Sequence, residues 1–234
     1  MDSSLFSGVA ALRAQERRLE AIAHNLANAN TPAFKKSASI TEGFQVERQG
    51  VTEEQPRTWH QTDWSQGDIK RTEVPTHLAL MGEGFFTLEG DQGELYTRNG
   101  AFRLDDRGVL QTAEGYPLAW DGPRGLIDPV GTPVTIEPTG AVTQGGTRVG
   151  QLKLTNFVDA DRLIIEETGF FRAPLGLQEV PTDAVVHQGA LESANTSPVD
   201  ELIAMIRVQR TFESVARMLT QIDESYDRLV NQNR

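Results

Sequence analysis

The sequence predicts an α+β protein in which an N-terminal and a C-terminal α-helix pair as a coiled-coil-like axial domain, with a mostly antiparallel β domain inserted between them. Three observations lead to this prediction. Of the 21 glycines, three lie in residues 1–50 and none in residues 198–234, so both ends can form long helices. Apolar residues recur at helical spacing at both ends. Short apolar runs separated by Gly, Asp and Asn fill the middle, as is typical of strands joined by turns.

The N-terminal helix is predicted by leucines that recur every seven residues, a spacing that places them on one helical face. Ser3 or Ser4 is a suitable N-cap. Pro32 ends the pattern, because the residue before a proline avoids helical geometry, so we expect a helix over about residues 4–28. The candidate contact residues on this helix are Leu5, Leu12, Leu19, Ile22 and Leu26.

The C-terminal helix is predicted by apolar residues that alternate in steps of three and four over more than three heptads. Ser197 as the cap and Pro198 at the first helical position predict its start, and Asp200 and Glu201 then lie where the helix dipole favours acids. The candidate contact residues are Met205, Val208, Phe212, Val215, Leu219, Ile222, Tyr226 and Leu229.

The two apolar stripes have two interpretations. They fit the core faces of a two-helix hairpin within one monomer, and they also fit contacts between subunits. Leu202, Ile203 and Ile206 widen the C-terminal stripe beyond a two-helix seam, which favours assembly.

The middle of the chain is predicted to be all β, as an open barrel or a sandwich. We expect Asn99-Gly100 to form a two-residue hairpin turn and residues 105–108 to form a second turn. Residues 48–75 are polar, contain Pro56 and have the composition of an irregular or extended connector. The predicted strands are residues 78–80, 84–88, 94–98, 101–104, 109–111, 134–136, 141–143 and 151–154. The predicted domains are the N-terminal axial helix and a loop over 1–47, the connector over 48–75, the β domain over 76–187 and the C-terminal axial helix over 188–234.

Composition and charge exclude several classes of protein. The net charge of -11 argues against a nucleic-acid binder, whose phosphate contacts need basic residues. The absence of cysteine excludes disulfides, cysteine-based metal sites and a thiol nucleophile. No apolar run reaches the roughly 20 residues of a membrane span. Charged residues within the first twenty positions leave no room for a cleaved secretory signal, so we expect neither membrane insertion nor such a signal.

Residues with catalytic or ligand-binding potential do not form a recognisable pattern. His24, His60, His77 and His187 lack partners at metal-ligand spacing. Adjacent acidic pairs are expected by chance among 33 acids, and no phosphate-binding loop or nucleophile elbow is present. We therefore expect no catalytic residue, no metal, no cofactor and no small-molecule ligand, and we do not expect an enzyme.

Four stretches resemble, in order, the bacterial flagellar rod and hook proteins of the FlgF/FlgG family. The first is Asn25-Leu26-Ala27-Asn28 followed by Thr31-Pro32-Ala33-Phe34-Lys35-Lys36, in which Ala33 stands where the family usually has glycine. Gly82-Glu83-Gly84-Phe85-Phe86 followed by Tyr96-Thr97-Arg98-Asn99-Gly100-Ala101-Phe102 resembles its β core, and Gly115-Tyr116-Pro117-Leu118 follows at the expected place. Gln188-Gly189-Ala190-Leu191-Glu192-Ser193-Ala194-Asn195, with residues 198–206 and 209–213, resembles its C-terminal signature. The signature residues are Asn25, Leu26, Asn28, Thr31, Pro32, Phe34, Gly84, Phe85, Phe86, Tyr96, Thr97, Arg98, Gly100, Gly115, Gly189, Leu191, Glu192, Asn195 and Glu201.

The resemblance implies a structural subunit of the flagellar basal-body rod that assembles helically and transmits motor torque across the periplasm. The implied partners are the chain itself, other proximal and distal rod proteins and the flagellar export apparatus, which exports without a cleaved signal. The length and short β body are most similar to the proximal-rod FlgF type, and the distal-rod FlgG type is the alternative. The candidate contact residues named above would then carry subunit contacts.

Two alternatives from other classes remain. One is a carbohydrate-binding or adhesive β domain with a helical stalk, which would use Trp59, Trp64 and Trp120 as an aromatic platform. The other is an enzyme with an acidic pair that acts on peptidoglycan, for which no second catalytic group is placed.

Overall fold

A computed structural model describes residues 2–48, 51–167 and 169–231. Within these ranges it describes the side chains of all residues except 2–7, 41–58, 60, 223, 225–227 and 229–231. The side chains of the predicted contact residues Leu5, Tyr226 and Leu229 therefore lie outside the described residues.

The two predicted helices are present, with ends close to those expected. Helix α1 spans Asp2–Ala27 and is followed by a turn in which the Thr31 N–H donates to the Asn28 carbonyl at 2.9 Å. Helix α2 spans Pro198–Asn231. It begins at the predicted cap, where the Glu201 N–H donates to the Ser197 carbonyl at 3.0 Å. Among the described residues, no helix has the length and apolarity needed to cross a membrane.

Every strand pairing between α1 and α2 in the described chain is antiparallel, which confirms the α+β class. The strands are β1 Ser37–Arg48, β2 Val51–Thr62, β3 Ile69–Arg71, β4 Leu78–Met81, β5 Phe85–Gly90, β6 Gly93–Thr97, β7 Arg103–Leu104, β8 Leu110–Gln111, β9 Val134–Ile136, β10 Ala141–Gln144, β11 Thr147–Gln151, β12 Leu154–Phe157, β13 Ile164–Glu167, β14 Phe170–Arg172, β15 Glu179–Val180, β16 Val185–Gln188 and β17 Ala190–Glu192.

The chain divides into two compact units at residues other than the predicted domain boundaries. The helical unit comprises residues 1–27, 36–63 and 196–234, and the β unit comprises residues 28–35 and 64–195. The difference arises because strand β2 occupies much of the segment predicted as a connector and pairs along its whole length with β1. Antiparallel backbone hydrogen bonds require no apolar alternation, so a polar composition does not prevent this pairing.

The helical unit combines α1, α2 and the β1–β2 hairpin. The helices run antiparallel, because Gly8 of α1 lies against Leu219 of α2 while Leu19 and Val208 line the same groove. The hairpin is tied to α1 by Asn25, whose Nδ2 donates to the Ser37 carbonyl at 2.9 Å and whose Oδ1 accepts from the Ser37 N–H at 2.9 Å.

The β unit is built around a six-stranded sheet with the order β13-β14-β6-β5-β12-β15. Its main core surrounds the fully buried Phe86 and Phe102, whose rings meet edge to face at 5.1 Å between centroids. A smaller apolar cluster contains Phe85 and Phe171, and the half-buried Trp64 packs edge-on against both rings.

One predicted turn is present and the other is wrong. Residues 105–108 connect β7 to β8, and the Gly108 N–H donates to the Asp105 carbonyl at 3.0 Å. Asn99-Gly100 does not join two paired strands, because β6 pairs with β5 and β14 instead of with the segment that follows it. Gly100 accepts a hydrogen bond from the Leu78 N–H at 3.0 Å, and a Cβ at this position would overlap the Leu78 carbonyl. Glycine is therefore needed here for close approach of two backbones.

Candidate assembly surfaces and the signature cluster

The predicted contact residues of the two helices are mostly half-buried within the chain. Ile22 and Val208 are buried, whereas Phe212 is 42% exposed. The others described are half-buried, and they are Leu12, Leu19, Leu26, Met205, Val215, Leu219 and Ile222. The stripes thus contribute to the contact between α1 and α2, and part of their apolar surface stays open to solvent.

An open groove follows this contact, and we call it the seam groove. It has a volume of about 630 Å³ and is lined by residues 9–19 of α1 and 208–213 of α2. Val9, Leu12, Leu19, Val208 and Phe212 make its lining predominantly apolar. Gln15 also lines the groove. Its Oε1 atom is buried and accepts no hydrogen bond within the described part of the chain.

A second apolar feature lies at the start of α2, and we call it the α2 ridge. It consists of Val199, Leu202, Ile203 and Ile206, which are between 44% and 63% exposed. Three of these residues are those predicted to widen the C-terminal stripe, and their exposure leaves a large apolar surface open in a single chain.

A buried ion cluster joins three of the signature stretches in the β unit. The Glu192 side chain is fully buried, and its Oε1 accepts from Lys35 Nζ at 2.7 Å and from the Gly67 N–H at 2.9 Å. Its Oε2 accepts from Arg98 Nε at 3.2 Å and forms an ion pair with Arg98 Nη2 at 3.2 Å. Because two cations face one carboxylate, further acceptors are needed. The Ser65 carbonyl accepts from Lys35 at 2.6 Å, and the Gly82 and Gly84 carbonyls each accept from Arg98 at 2.7 Å.

Backbone hydrogen bonds align the N-terminal and C-terminal signature stretches beside this cluster. The Ala33 N–H donates to the Glu192 carbonyl at 2.8 Å, and the Asn195 N–H donates to the Phe34 carbonyl at 3.2 Å. Ala33 is buried with φ of 55°, in the left-handed region that favours glycine. The departure from the family pattern at Ala33 therefore falls on a position with a real conformational requirement.

Most of the other signature residues make hydrogen bonds or strand pairings within the chain. Thr31 donates from Oγ1 to Asn28 Oδ1 at 3.2 Å, Thr97 donates from Oγ1 to the Gly169 carbonyl at 2.7 Å, and Asn195 donates from Nδ2 to the Ser65 carbonyl at 3.1 Å. Gly189 donates to the His77 carbonyl at 2.8 Å, Leu191 pairs with Lys70, Gly115 closes a turn onto Thr112, and Glu201 accepts from Thr196 Oγ1 at 2.8 Å. Pro32 is half-buried in the turn after α1.

Tyr96 belongs to a polar group that holds the edge strand β15 on the sheet. Its hydroxyl donates to Glu179 at 2.8 Å and also lies 3.1 Å from Glu94 Oε2. Burial, followed by these two carboxylates, raises the pKa of Tyr96 well above its ordinary value. Burial by itself would lower the pKa of Lys153, but its hydrogen bonds to Glu94 at 2.7 Å raise that pKa overall.

The side chains of His77, Trp64 and Trp120 lie in separate environments. His77 Nδ1 lies 3.0 Å from Thr72 Oγ1, and burial lowers the pKa of His77 below 6.5. No group of three or more His, Asp or Glu residues that could hold a metal occurs among the described residues. Trp64 donates to Asp161 at 2.9 Å in the smaller cluster, whereas Trp120 packs against the main core. These two tryptophans therefore do not form one aromatic platform.

Lys35 is the functional candidate that sequence reasoning did not single out. It lies inside a signature stretch, but its neighbour Lys36 has the same charge and is paired with Asp63 at a solvent-exposed position. Periodicity cannot tell a buried lysine from an exposed one. The only available signal was the membership of Lys35 in the signature stretch.

Three models of known protein families match this chain, and each covers one of the parts that contain the signature stretches. The family model described as flagella basal body rod protein matches residues 5–35. The flagellar hook protein FlgE/F/G D1 domain matches residues 79–144, and the flagellar basal body rod FlgEFG protein C-terminal model matches residues 187–232.

Three similar proteins align with this chain over almost its whole length and over almost their own whole length. The flagellar basal-body rod protein FlgF of Caulobacter vibrioides is 34% identical over 227 residues, which cover 94% of this chain and 93% of the relative. FlgF of Mesorhizobium japonicum is 30% identical over 98% of this chain and 97% of the relative. FlgG of Buchnera aphidicola subsp. Schizaphis graminum is 30% identical over 98% of this chain and 99% of the relative.

Proposed function

The chain belongs to the FlgF/FlgG family of flagellar basal-body rod proteins, and on this premise we propose that it is a structural subunit of the rod, of the FlgF type. The observation that carries the proposal is the joint placement of the family's signature stretches. They meet at the Lys35–Glu192–Arg98 cluster, while the two helices keep an open apolar surface.

Sequence identity supports the FlgF type over the FlgG type. FlgF of Caulobacter vibrioides is 34% identical to this chain, whereas FlgG of Buchnera aphidicola is 30% identical and aligns over 260 positions, although this chain has 234 residues. That FlgG relative thus carries segments for which this chain has no counterpart. We propose a place in the proximal rod on this ground.

The helices supply the assembly function. We propose that they pair as a coiled-coil-like axial domain and that their remaining apolar surface contacts neighbouring subunits, including other rod proteins. A helical rod needs contacts between different surfaces of successive subunits, because such contacts do not close into a small ring. Torque can then pass along the rod through packed helix faces, which resist sliding because protein interiors are close-packed.

The β unit has a supporting role in this proposal. Residues 51–197 carry a strongly negative net charge, which keeps this part of the chain solvated while the nearly neutral ends pack together. The proposed location is the periplasmic part of the basal body, reached through the flagellar export apparatus without a cleaved signal. The proposed role is mechanical and involves no catalysis.

Deletion and complementation test this function. Cells that lack the chain should not swim and should yield no complete hook–basal bodies, and the wild-type chain expressed in trans should restore both. As a matched control, a variant with a change at the exposed loop residue Val130, Val130→Ser, should restore both equally well. Complete basal bodies and normal swimming in the deletion strain would overturn the proposal.

A further inference from the structure

The helical unit carries an apolar groove and an apolar ridge at different places on its surface. The seam groove lies beside residues 208–213 of α2, and the α2 ridge lies at residues 199–206 of the same helix. We infer that the α2 ridge of one copy docks in the seam groove of a second copy of this chain. This inference rests on the proposed role as a rod subunit and names the contact that this role would use.

The spacing of the ridge fits a helix that docks into a groove. Val199, Leu202, Ile203 and Ile206 stand at positions i, i+3, i+4 and i+7, the spacing of the anchors with which an amphipathic helix fills an apolar groove. The groove volume of about 630 Å³ lies within the range of cavities that enclose several apolar groups. Since ridge and groove are different surfaces, each copy can present its ridge to the next copy, which produces an open series.

The polar groups at the seam groove and at the α2 ridge are complementary in hydrogen bonding and in charge. Gln15 lines the groove, and its buried Oε1 atom accepts no hydrogen bond within the described residues, so a donor brought by an occupant would satisfy this acceptor. Arg207 is exposed directly after Ile206 and offers a guanidinium group. At the other end of the ridge, Asp200 lies in the first turn of α2 and can approach Arg13, which lines the groove.

Site-specific disulfide formation tests the contact directly, because the natural chain contains no cysteine. Cells would produce two versions of the chain together, one with Glu16→Cys at the groove and one with Ile203→Cys on the ridge. Each version has a single cysteine, so no disulfide can form within one chain. After mild oxidation of isolated hook–basal bodies, we expect dimers that contain one chain of each version, identified by mass spectrometry.

The matched control places the second cysteine elsewhere. Val130→Cys lies at a 92% exposed position of the β unit and should give no mixed dimer with Glu16→Cys. Mixed dimers that form equally well with this control would overturn the inference. Dimers joined only through two identical positions would overturn it too, because they would show groove-to-groove or ridge-to-ridge contact.

Assembly of basal bodies provides a second readout. Ile203→Glu places a charge on the ridge and should reduce the yield of complete hook–basal bodies by more than about tenfold, because a charge is costly in an apolar contact. Met218→Glu alters another exposed apolar residue of α2 outside the ridge and should reduce it by less than about twofold. Equal effects of the two variants would contradict docking at the ridge.

The results separate this inference from the proposed function. Absence of the wild-type chain from basal bodies would overturn the rod function itself. Presence of the wild-type chain together with no mixed dimer and a normal yield of complete hook–basal bodies with Ile203→Glu would overturn only the docking inference. A cross-link from Glu16→Cys to a different rod protein would show that the occupant of the groove is not a second copy.

Discussion

Replacing Glu192 by glutamine should destabilise the β unit severely, because it removes a buried carboxylate that two buried cations contact. The side chains of Lys35 and Arg98 are 2% and 5% exposed, so neither cation can recover its charge interaction from water. Breaking a buried ion pair by removing one partner typically costs about 3–5 kcal/mol. For a chain of this size, that loss corresponds to a decrease in melting temperature of roughly 6–20 °C.

The effect should depend on which member of the cluster is removed. Lys35→Met keeps the buried Glu192–Arg98 pair, whereas Glu192→Gln removes the carboxylate that Lys35 and Arg98 both contact. We therefore expect Lys35→Met to be the less damaging change. In the double variant, Lys35→Met should recover part of the loss caused by Glu192→Gln, with a coupling energy of about 1–3 kcal/mol.

Urea unfolding of the full chain, followed by tryptophan fluorescence, measures these free energies. Glu166→Gln is the matched control, because Glu166 also pairs with an arginine, Arg172, but at a position open to solvent. Exposed pairs contribute about 0–1 kcal/mol, so the control should remain near wild type. A loss below about 1 kcal/mol for Glu192→Gln, or no coupling to Lys35→Met, would refute the reasoning.

Three further predictions concern other features. Ala33→Gly should be neutral or raise the free energy of unfolding by up to about 1 kcal/mol in the same urea assay, because φ at this position is 55°, whereas Ala33→Val should lower it. Burial lowers the pKa of His77 below 6.5, so the unfolded chain binds the proton more readily. Melting temperature should therefore fall as the pH decreases through about 6.5, and His77→Gln should reduce that slope. Leu219→Asp, next to Gly8, should abolish incorporation into basal bodies while the near-ultraviolet circular dichroism of the β unit persists. Unfolding of Ala33→Gly at lower urea, an unchanged pH slope in His77→Gln, or rods built from Leu219→Asp would each contradict the corresponding argument.

The sequence predicted the helices well because their signals are local. Heptad spacing, the Ser197-Pro198 start and Pro32 after the first helix act within a few residues of where each helix begins or ends. Strands with apolar runs, such as β5 and β10, were also predicted close to their observed ends. The coiled-coil pairing and the contacts between subunits remain predictions.

Features that depend on distant parts of the chain were not predictable from local patterns. The β1–β2 hairpin has a polar sequence with Pro56, and its pairing comes from backbone hydrogen bonds that composition does not reveal. Asn99-Gly100 has the composition of a hairpin turn, yet Gly100 serves the close approach to Leu78, which lies 22 residues earlier. Lys35 and Glu192 are separated by 157 positions, so the resemblance of their segments to a family was the only sign that both matter.

The measurement that tests the central claim most directly is a count of this chain in isolated hook–basal bodies. Quantitative mass spectrometry would compare it with a hook or ring component of known copy number. We expect a few copies per basal body, as a short proximal segment of the FlgF type requires. Many copies would indicate the longer distal rod, and absence from otherwise intact particles would contradict the assignment as a rod subunit.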